Sequence, residues 1–359
     1  MNTITLFFLV SFMSVGQNKK INGNLSLLQI LFRHGERSPT ETYNNDPYKN
    51  YDWPGGLGFL TNRGKMQMYT LGQQLRERYS DYLPEYYLPE EVLTYSSYSD
   101  RCLISAELLL AGLYPPVGQQ IWNPDLLWQP IPVHYNPRNL DNIIAMKQPC
   151  KKYKEAFNEI SAVRLNESIK KYPDIYRYLT EHTGSEIKTI GDIEFLYSTL
   201  EIEDLNNLTL PNWTKRYYPE PMKTLTAESL ALYSYTPLLK RLSGGVFLKN
   251  VTDNMLQKVE NNTTNKLILF SGHDLTVVNV MRSLGLDELL KPEFAATIIF
   301  ELHKEREVKV LYKKNVNDDF NEMSIPGCQS SCELSNLVKV LDPVLPKNWN
   351  EECIKNVIV

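Results

Sequence analysis

The chain has 359 residues, a length that suits one large domain carrying a smaller insertion. Hydrophobic residues at 42% and charged residues at 22% allow a proper core and exclude a disordered chain. A formal net charge of -4 excludes the basic surface that a nucleic-acid partner requires.

In chain order, Ile4 to Val15 is apolar and is followed by the small residue Gly16. This pattern predicts a signal peptide over residues 1–16. The first residues lack Lys and Arg, so an uncleaved apolar N-terminus is the alternative. The segment is shorter than the roughly 20 residues of a spanning helix. No later stretch is long enough either, so no membrane anchor is expected and the protein is read as secreted or lumenal. Asn-x-Ser/Thr sequons at Asn24, Asn166, Asn207, Asn212, Asn250, Asn261 and Asn262 permit glycosylation there.

Leu27 to Phe32 reads as a buried strand that runs into Arg33-His34-Gly35-Glu36-Arg37-Ser38-Pro39. After a loop, Gly64, Met68, Leu71, Leu75 and Tyr79 share one helix face, with Thr61 as its N-cap. Val92 to Tyr95 is a second strand, ending in Ser96-Ser97-Tyr98-Ser99-Asp100-Arg101 ahead of a helix over Leu103 to Leu113. Residues 146–235 are charged and Tyr-rich without period-2 alternation, and Lys151 to Lys171 has helical spacing. This stretch is expected to be a helical insertion domain over the crevice. A third strand, Lys266 to Phe270, runs into Ser271-Gly272-His273-Asp274 and a helix over Val277 to Leu284. Strand-like runs at 296–302 and 308–312 are expected to close one edge of the sheet.

Strand followed by helix, three times over, predicts an α/β fold with a largely parallel central sheet flanked by helices. Its parts are 24–145 and 236–356, with 146–235 inserted. In such sheets ligands bind beyond the carboxyl ends of the strands, where all three polar clusters fall. Arg33, Arg37 and Arg101 would form a cationic pocket whose guanidinium forks match phosphate oxygens. Positive neighbours disfavour a proton on His34 and leave it nucleophilic. Asp274, beside His273, is placed to protonate a leaving alkoxide. Any one of these residues alone reads as a surface or core group. His134, His182 and His303 lack such company and are read as structural. The five His and five Cys have no usual metal-ligand spacing, and no nucleotide-binding fingerprint appears, so neither metal nor cofactor is expected. Cys328 and Cys332 fit a local disulfide better than a zinc ribbon.

Arg33 to Pro39 resembles the RHGxRxP motif of the histidine acid phosphatases, a family that includes prostatic, lysosomal and secreted insect enzymes. His273-Asp274 resembles its HD motif, Asp100-Arg101 its third arginine, and Pro326-Gly327-Cys328 through Cys332 its C-terminal PGCxxxC segment. The resemblance spans nearly the whole mature chain and implies a phosphoglycerate mutase-like fold acting on phosphate monoesters at acidic pH. It implies that His34 becomes phosphorylated, that Arg33, Arg37, Arg101 and His273 hold the phosphoryl oxygens, and that Asp274 protonates the leaving group. It also implies the pairs Cys150–Cys353 and Cys328–Cys332, with Cys102 left over, and a homodimer as an assembly state. Two departures stand out. Tyr95-Ser96-Ser97-Tyr98 replaces Arg-Ser-Thr-Asp, and Ile202 and Thr297 occupy positions where prostatic-type relatives bridge the insertion to the sheet. The rival reading is a binding protein that holds an amine or lipid in a Tyr-rich crevice on the same scaffold. The retention of His34, all three arginines and Asp274 argues for the enzyme.

Overall fold

The computed structural model describes residues 24–328 and 332–354. The expected signal peptide lies outside the described residues. Strand β1 (Leu25–Arg33) is buried on both faces because its apolar side chains alternate without a polar partner series. Leu27 and Leu31 pack with Phe247, Val277 and Phe300 on one face, and Leu28, Ile30 and Phe32 pack with Met68, Leu71 and Leu109 on the other. Helices α1 (Asn62–Arg78) and α2 (Asp100–Leu113) cover the second face.

β1 pairs in parallel with β4 (Leu267–Gly272), and β4 with β2 (Val92–Ser96), which pairs with the two-residue β3 (His134–Tyr135). On the other side β1 runs antiparallel to β5 (Thr297–His303), which continues through β6 (Glu307–Lys313) to β7 (Asn321–Glu322), while β8 (Cys332–Glu333) also pairs with β6. The parallel core is therefore β2-β4-β1, and the two late runs close its edge with reversed direction. Register aligns the three strand ends, with Arg33 opposite Gly272 and Ser96 opposite Ser271. The polar clusters that follow them emerge at one level.

Between β3 and β4 the regular structure is helical. It comprises α3 (Lys151–Lys171), α4 (Ile175–Thr183), α5 (Ile190–Leu205) and α6 (Met222–Leu232), then α7 (Pro237–Leu242) and α8 (Gly244–Val259). α9 (Asp274–Ser283) follows β4, and α10 (Leu334–Leu341) and α11 (Trp349–Ile354) end the described chain. α4, α5 and α6 share an apolar cluster of Ile175, Leu179, Ile193, Leu200 and Leu225. Cys150, just ahead of α3, is bonded to Cys353 of α11, and Cys328 is bonded to Cys332. Cys102 is a buried free thiol. Ile202 is packed against Trp53, Phe294 and Leu208. Apolar contact holds the helical region there.

The loop at 41–48 ties the helical region to the sheet. Thr199 Oγ1 donates to the Glu41 carbonyl at 3.0 Å, and the side-chain amides of Asn44 and Asn45 donate to the carbonyls of Gly184 and His182. Beneath this seam Asp46 and Glu203 are both buried, and Asp46 Oδ2 and Glu203 Oε2 accept from no N–H or hydroxyl. Two buried carboxyls side by side favour a proton held between them. Burial, then the neighbouring Asp46, pushes Glu203 up to about 8, and burial raises Asp46 as well. A carboxyl raised in the folded state keeps a proton that the unfolded chain releases. Its stabilisation is complete below the unfolded value of 4.5 and is lost as pH rises through the folded one. The melting temperature is thus expected to fall between about pH 5 and about pH 8, and Glu203→Gln is expected to flatten that fall. Parallel curves for the two proteins would show that no proton is shared.

Candidate active site

Each cluster is placed by the end of one element and the start of the next. Arg33 is the last residue of β1, and the His34 N–H continues the ladder by donating to the Gly272 carbonyl at 3.0 Å. The chain then turns sharply against α1. A Cβ on Gly35 would stand 2.2 Å from the Gly64 carbonyl oxygen, and one on Gly64 would stand 1.9 Å from the Glu36 carbonyl oxygen, so both positions require glycine. Glu36 is buried and locks the turn. Its carboxylate accepts from Thr61 Oγ1 at 3.0 Å, from Arg63 at 3.1 Å and from Asn206 at 3.3 Å. Thr61 also caps α1 by accepting from the Gly64 N–H.

α2 begins earlier than its apolar pattern suggests, at Asp100, so Arg101 lies in its first turn. α9 begins at Asp274 with His273 as its N-cap, and the His273 N–H donates to Thr276 Oγ1 at 3.2 Å. The Asp274 carboxylate caps the same end by accepting from the Leu275 N–H at 2.8 Å, where the helix dipole favours negative charge.

Arg33, Arg37, Arg101, His273 and Asp274 line one cavity of about 230 Å³, and His34 lies buried behind them. Arg33 bonds Asp274 at 2.8 Å and the Pro292 carbonyl at 2.6 Å, and its guanidinium lies 4.1 Å from the centre of the Phe294 ring. Arg37 donates to the Ser38 carbonyl and, at 3.4 Å, to Ser198 Oγ. The buried Nε atoms of Arg33 and Arg37 donate to no protein group. Arg101 spans the two imidazoles. Its Nε lies 3.1 Å from His34 Nε2 and its Nη2 lies 3.5 Å from His273 Nδ1.

These contacts define the tautomers. His34 Nδ1 sits 2.8 Å from the Gly35 carbonyl, which only accepts, so Nδ1 carries the proton and Nε2 presents its lone pair to Arg101. His273 Nδ1 accepts from Arg101, so Nε2–H donates to Ser97 Oγ at 2.8 Å. Burial, then Arg101 and Arg33, holds His34 well below the usual imidazole range. Burial and Arg101 push His273 down to about 3. Burial is the largest single cause for both imidazoles, ahead of any one of the positive neighbours that the sequence pattern points to. For Asp274 burial works upward, but Arg33, Arg37 and His273 outweigh it and keep the carboxyl ionised. Burial and the other two arginines push Arg37 down to about 9, which leaves it charged at acidic pH.

The sequence reading omits several residues of the cavity. Glu194 and Ser198 reach it from α5, and Lys291 is closed by an ion pair to Glu201 of the same helix. Glu194, Ser198 and Glu201 fall on one helix face, a signal available in the sequence. Lys147, Tyr98 and Tyr233 complete the rim. Of the histidines set aside, His303 pairs with buried Glu301, His134 is exposed and His182 stacks on Trp213.

Arginines and histidines gathered at the ends of β1, β2 and β4 are the arrangement of a phosphatase of the histidine type. Residues 24–313 match the model of the histidine phosphatase superfamily, branch 2. The chain is 37% identical to a venom acid phosphatase of Apis mellifera, covering 94% of this chain and 90% of that one. It is 35% identical to the lysosomal acid phosphatase of Homo sapiens, over 92% and 80% of the two chains. A phytase of Hafnia alvei solved with myo-inositol hexakis sulphate superposes with a TM-score of 0.68 at 17% identity, over 90% of this chain and 98% of that one. The chain belongs to branch 2 of the histidine phosphatase superfamily and is a phosphomonoesterase.

The glycine contact between the turn and α1 yields a direct test. Gly64→Ala is expected to push residues 34–37 off the helix and lower turnover of p-nitrophenyl phosphate at least about tenfold, since small misplacements of groups in an active centre are costly. Turnover equal to wild type in a folded variant would show the close approach to be immaterial.

Proposed function

We propose that the enzyme is an acid phosphatase that transfers the phosphoryl group of a monoester to His34 and then to water. The observation that carries this reading is the His34 tautomer, with its Nδ1 proton held by Gly35 and Nε2 turned to Arg101, beside a cavity that Arg33 and Arg37 also line. The phosphate oxygens take the open donors of Arg33, Arg37 and Arg101, and Arg101 exchanges its contact with His34 Nε2 for one of them. Nε2 attacks phosphorus, an N–P bond forms, and the bond to the leaving oxygen breaks. Asp274 donates the proton that this oxygen takes. In the free enzyme Asp274 is ionised, but a bound phosphate shares its arginine partners and adds negative charge, both of which raise the carboxyl. Water then attacks the phosphohistidine and gives its proton to Asp274, the N–P bond breaks, and phosphate leaves. His273, neutral and steadied by Ser97, helps to position Arg101 and in this reading joins the three arginines in holding the phosphoryl oxygens.

Residues 146–235 act in this reading as an insertion domain that roofs the cleft. A secreted or lumenal location is supported by the two disulfides and by relatives named for venom and lysosome. No described helix is long and apolar enough to cross a membrane. The acidic charge balance argues against nucleic acid as a partner. A homodimer is the favoured assembly. Beside the edge strand β3 the loop at 121–128 exposes Ile121, Trp122, Leu126 and Leu127, a grouping that marks an interaction surface.

His34→Ala is expected to abolish hydrolysis of p-nitrophenyl phosphate at about pH 5, whereas Asp274→Asn should slow alkyl phosphates roughly 10²–10⁴-fold and this activated aryl ester less. An active His34→Ala protein, or equal losses for both ester classes in Asp274→Asn, would contradict the assigned roles. For the assembly, Leu127→Glu is expected to convert a sedimenting dimer to monomer, and an unchanged sedimentation coefficient would move the interface elsewhere.

A further inference from the structure

Glu194 takes no part in the steps above. Besides Asp274 it is the only carboxyl lining the cavity among the described residues. The groups that face it come from every neighbouring element: Ser229 of α6, which hydrogen-bonds it, Asp274 at the head of α9, Lys147 from the loop before α3, and Arg33 at the end of β1. Tyr233, just past α6, also lies within its field. Lys291 is closed on Glu201, and Lys147 stands within the field of Glu194 without an ion pair to it. Beyond the three arginines of the phosphate centre and the paired Lys291, Lys147 is the one cation lining the cavity among the described residues.

We propose that Glu194, on the same rim as Tyr98 and Tyr233, is a specificity-determining residue of a leaving-group subsite that accepts neutral or aminated alcohols and turns away those bearing a second phosphate. The proposal rests on the phosphohistidine reading, which seats the transferred phosphate on Arg33, Arg37 and Arg101 and points its alcohol away from them, toward the α5 wall. An amine there meets aromatic faces and, once Glu194 has ionised, a carboxylate. A second phosphate meets that carboxylate with only Lys147 to offset it. Burial pushes Glu194 up to about 7, with Asp274 adding to the rise and Ser229, Lys147 and Arg33 opposing it. Below that pH the group is neutral, and above it the group is anionic. Rejection of a second phosphate therefore strengthens as pH rises.

The test compares phosphoethanolamine with ethylene glycol bisphosphate, which exchanges the amine for a phosphate at similar size. KM for each is measured on the intact enzyme, Glu194→Gln and Glu194→Lys, with thermal melts to confirm folding. In the wild type the ratio of the bisphosphate KM to the amine KM is expected to rise roughly three- to tenfold between about pH 5 and about pH 8. Glu194→Gln should flatten that rise, and Glu194→Lys should bring the ratio below the wild-type value at both pH values. Either variant alone is decisive. A ratio that climbs equally in wild type and variant assigns the effect to ionisation of the substrate and overturns the proposal. The His34→Ala control separates the two readings, because residual activity there defeats the phosphohistidine whatever the ratios are.

Discussion

Three guanidinium groups converge on one buried imidazole, and only Arg33 has a carboxylate within 2.8 Å to answer it. Burying an ion costs several kcal/mol even after relaxation, and like charges add to that cost. The arrangement persists because none of the three backbones is free to retreat. Arg33 is the last residue of a strand paired on both sides, Arg101 sits in the first turn of α2, and Arg37 leaves a turn clamped between Glu36 and α1. The fold is thus a frame that holds like charges at fixed separation, and the strain of doing so is relieved by an anion with oxygens on several sides. In the proposed reaction that anion is the phosphate of the substrate.

The same field sorts the titratable groups of the cleft. Close to the arginines, the imidazoles lose their protons and Asp274 loses its own. Across the cavity on α5, burial prevails over the weaker attraction of Lys147 and Arg33, and Glu194 keeps a proton to higher pH. Two carboxyls in one cavity are driven in opposite directions by their distance from the cationic centre. Divergence of this kind assigns different tasks to chemically identical groups.

Much of the centre was legible because it is local in the chain. Each polar cluster follows its strand directly, so an apolar run that stops at Arg33, Ser96 or Ser271 announces both the strand end and the residues displayed there. Thr61 and the helix it caps were legible for the same reason. What escaped depends on neighbours distant in sequence. The ring of Phe294 against Arg33, the closure of Lys291 by Glu201, and the facing carboxyls of Asp46 and Glu203 join segments that no periodicity connects. Strand direction was partly hidden too. A run of buried residues reads alike in either sense, so the antiparallel pairing of β5 with β1 waited on the coordinates. Ile202 lies between these cases. The absent bridge was visible in the sequence, but its replacement by contact with Phe294, the ring that floors Arg33, was not.

The central place of β1 also governs the order in which the molecule is made. Its partners are β4 and β5, so the strand that ends in Arg33 emerges from the ribosome long before either neighbour exists. Until then both of its apolar faces and both hydrogen-bonding edges lack their native partners, the condition under which a segment pairs with other chains. The link from Cys150 to Cys353 waits longer still, for the last described helix. A product truncated before β4 and β5 therefore carries the His34 motif without the strands that flank it in the sheet.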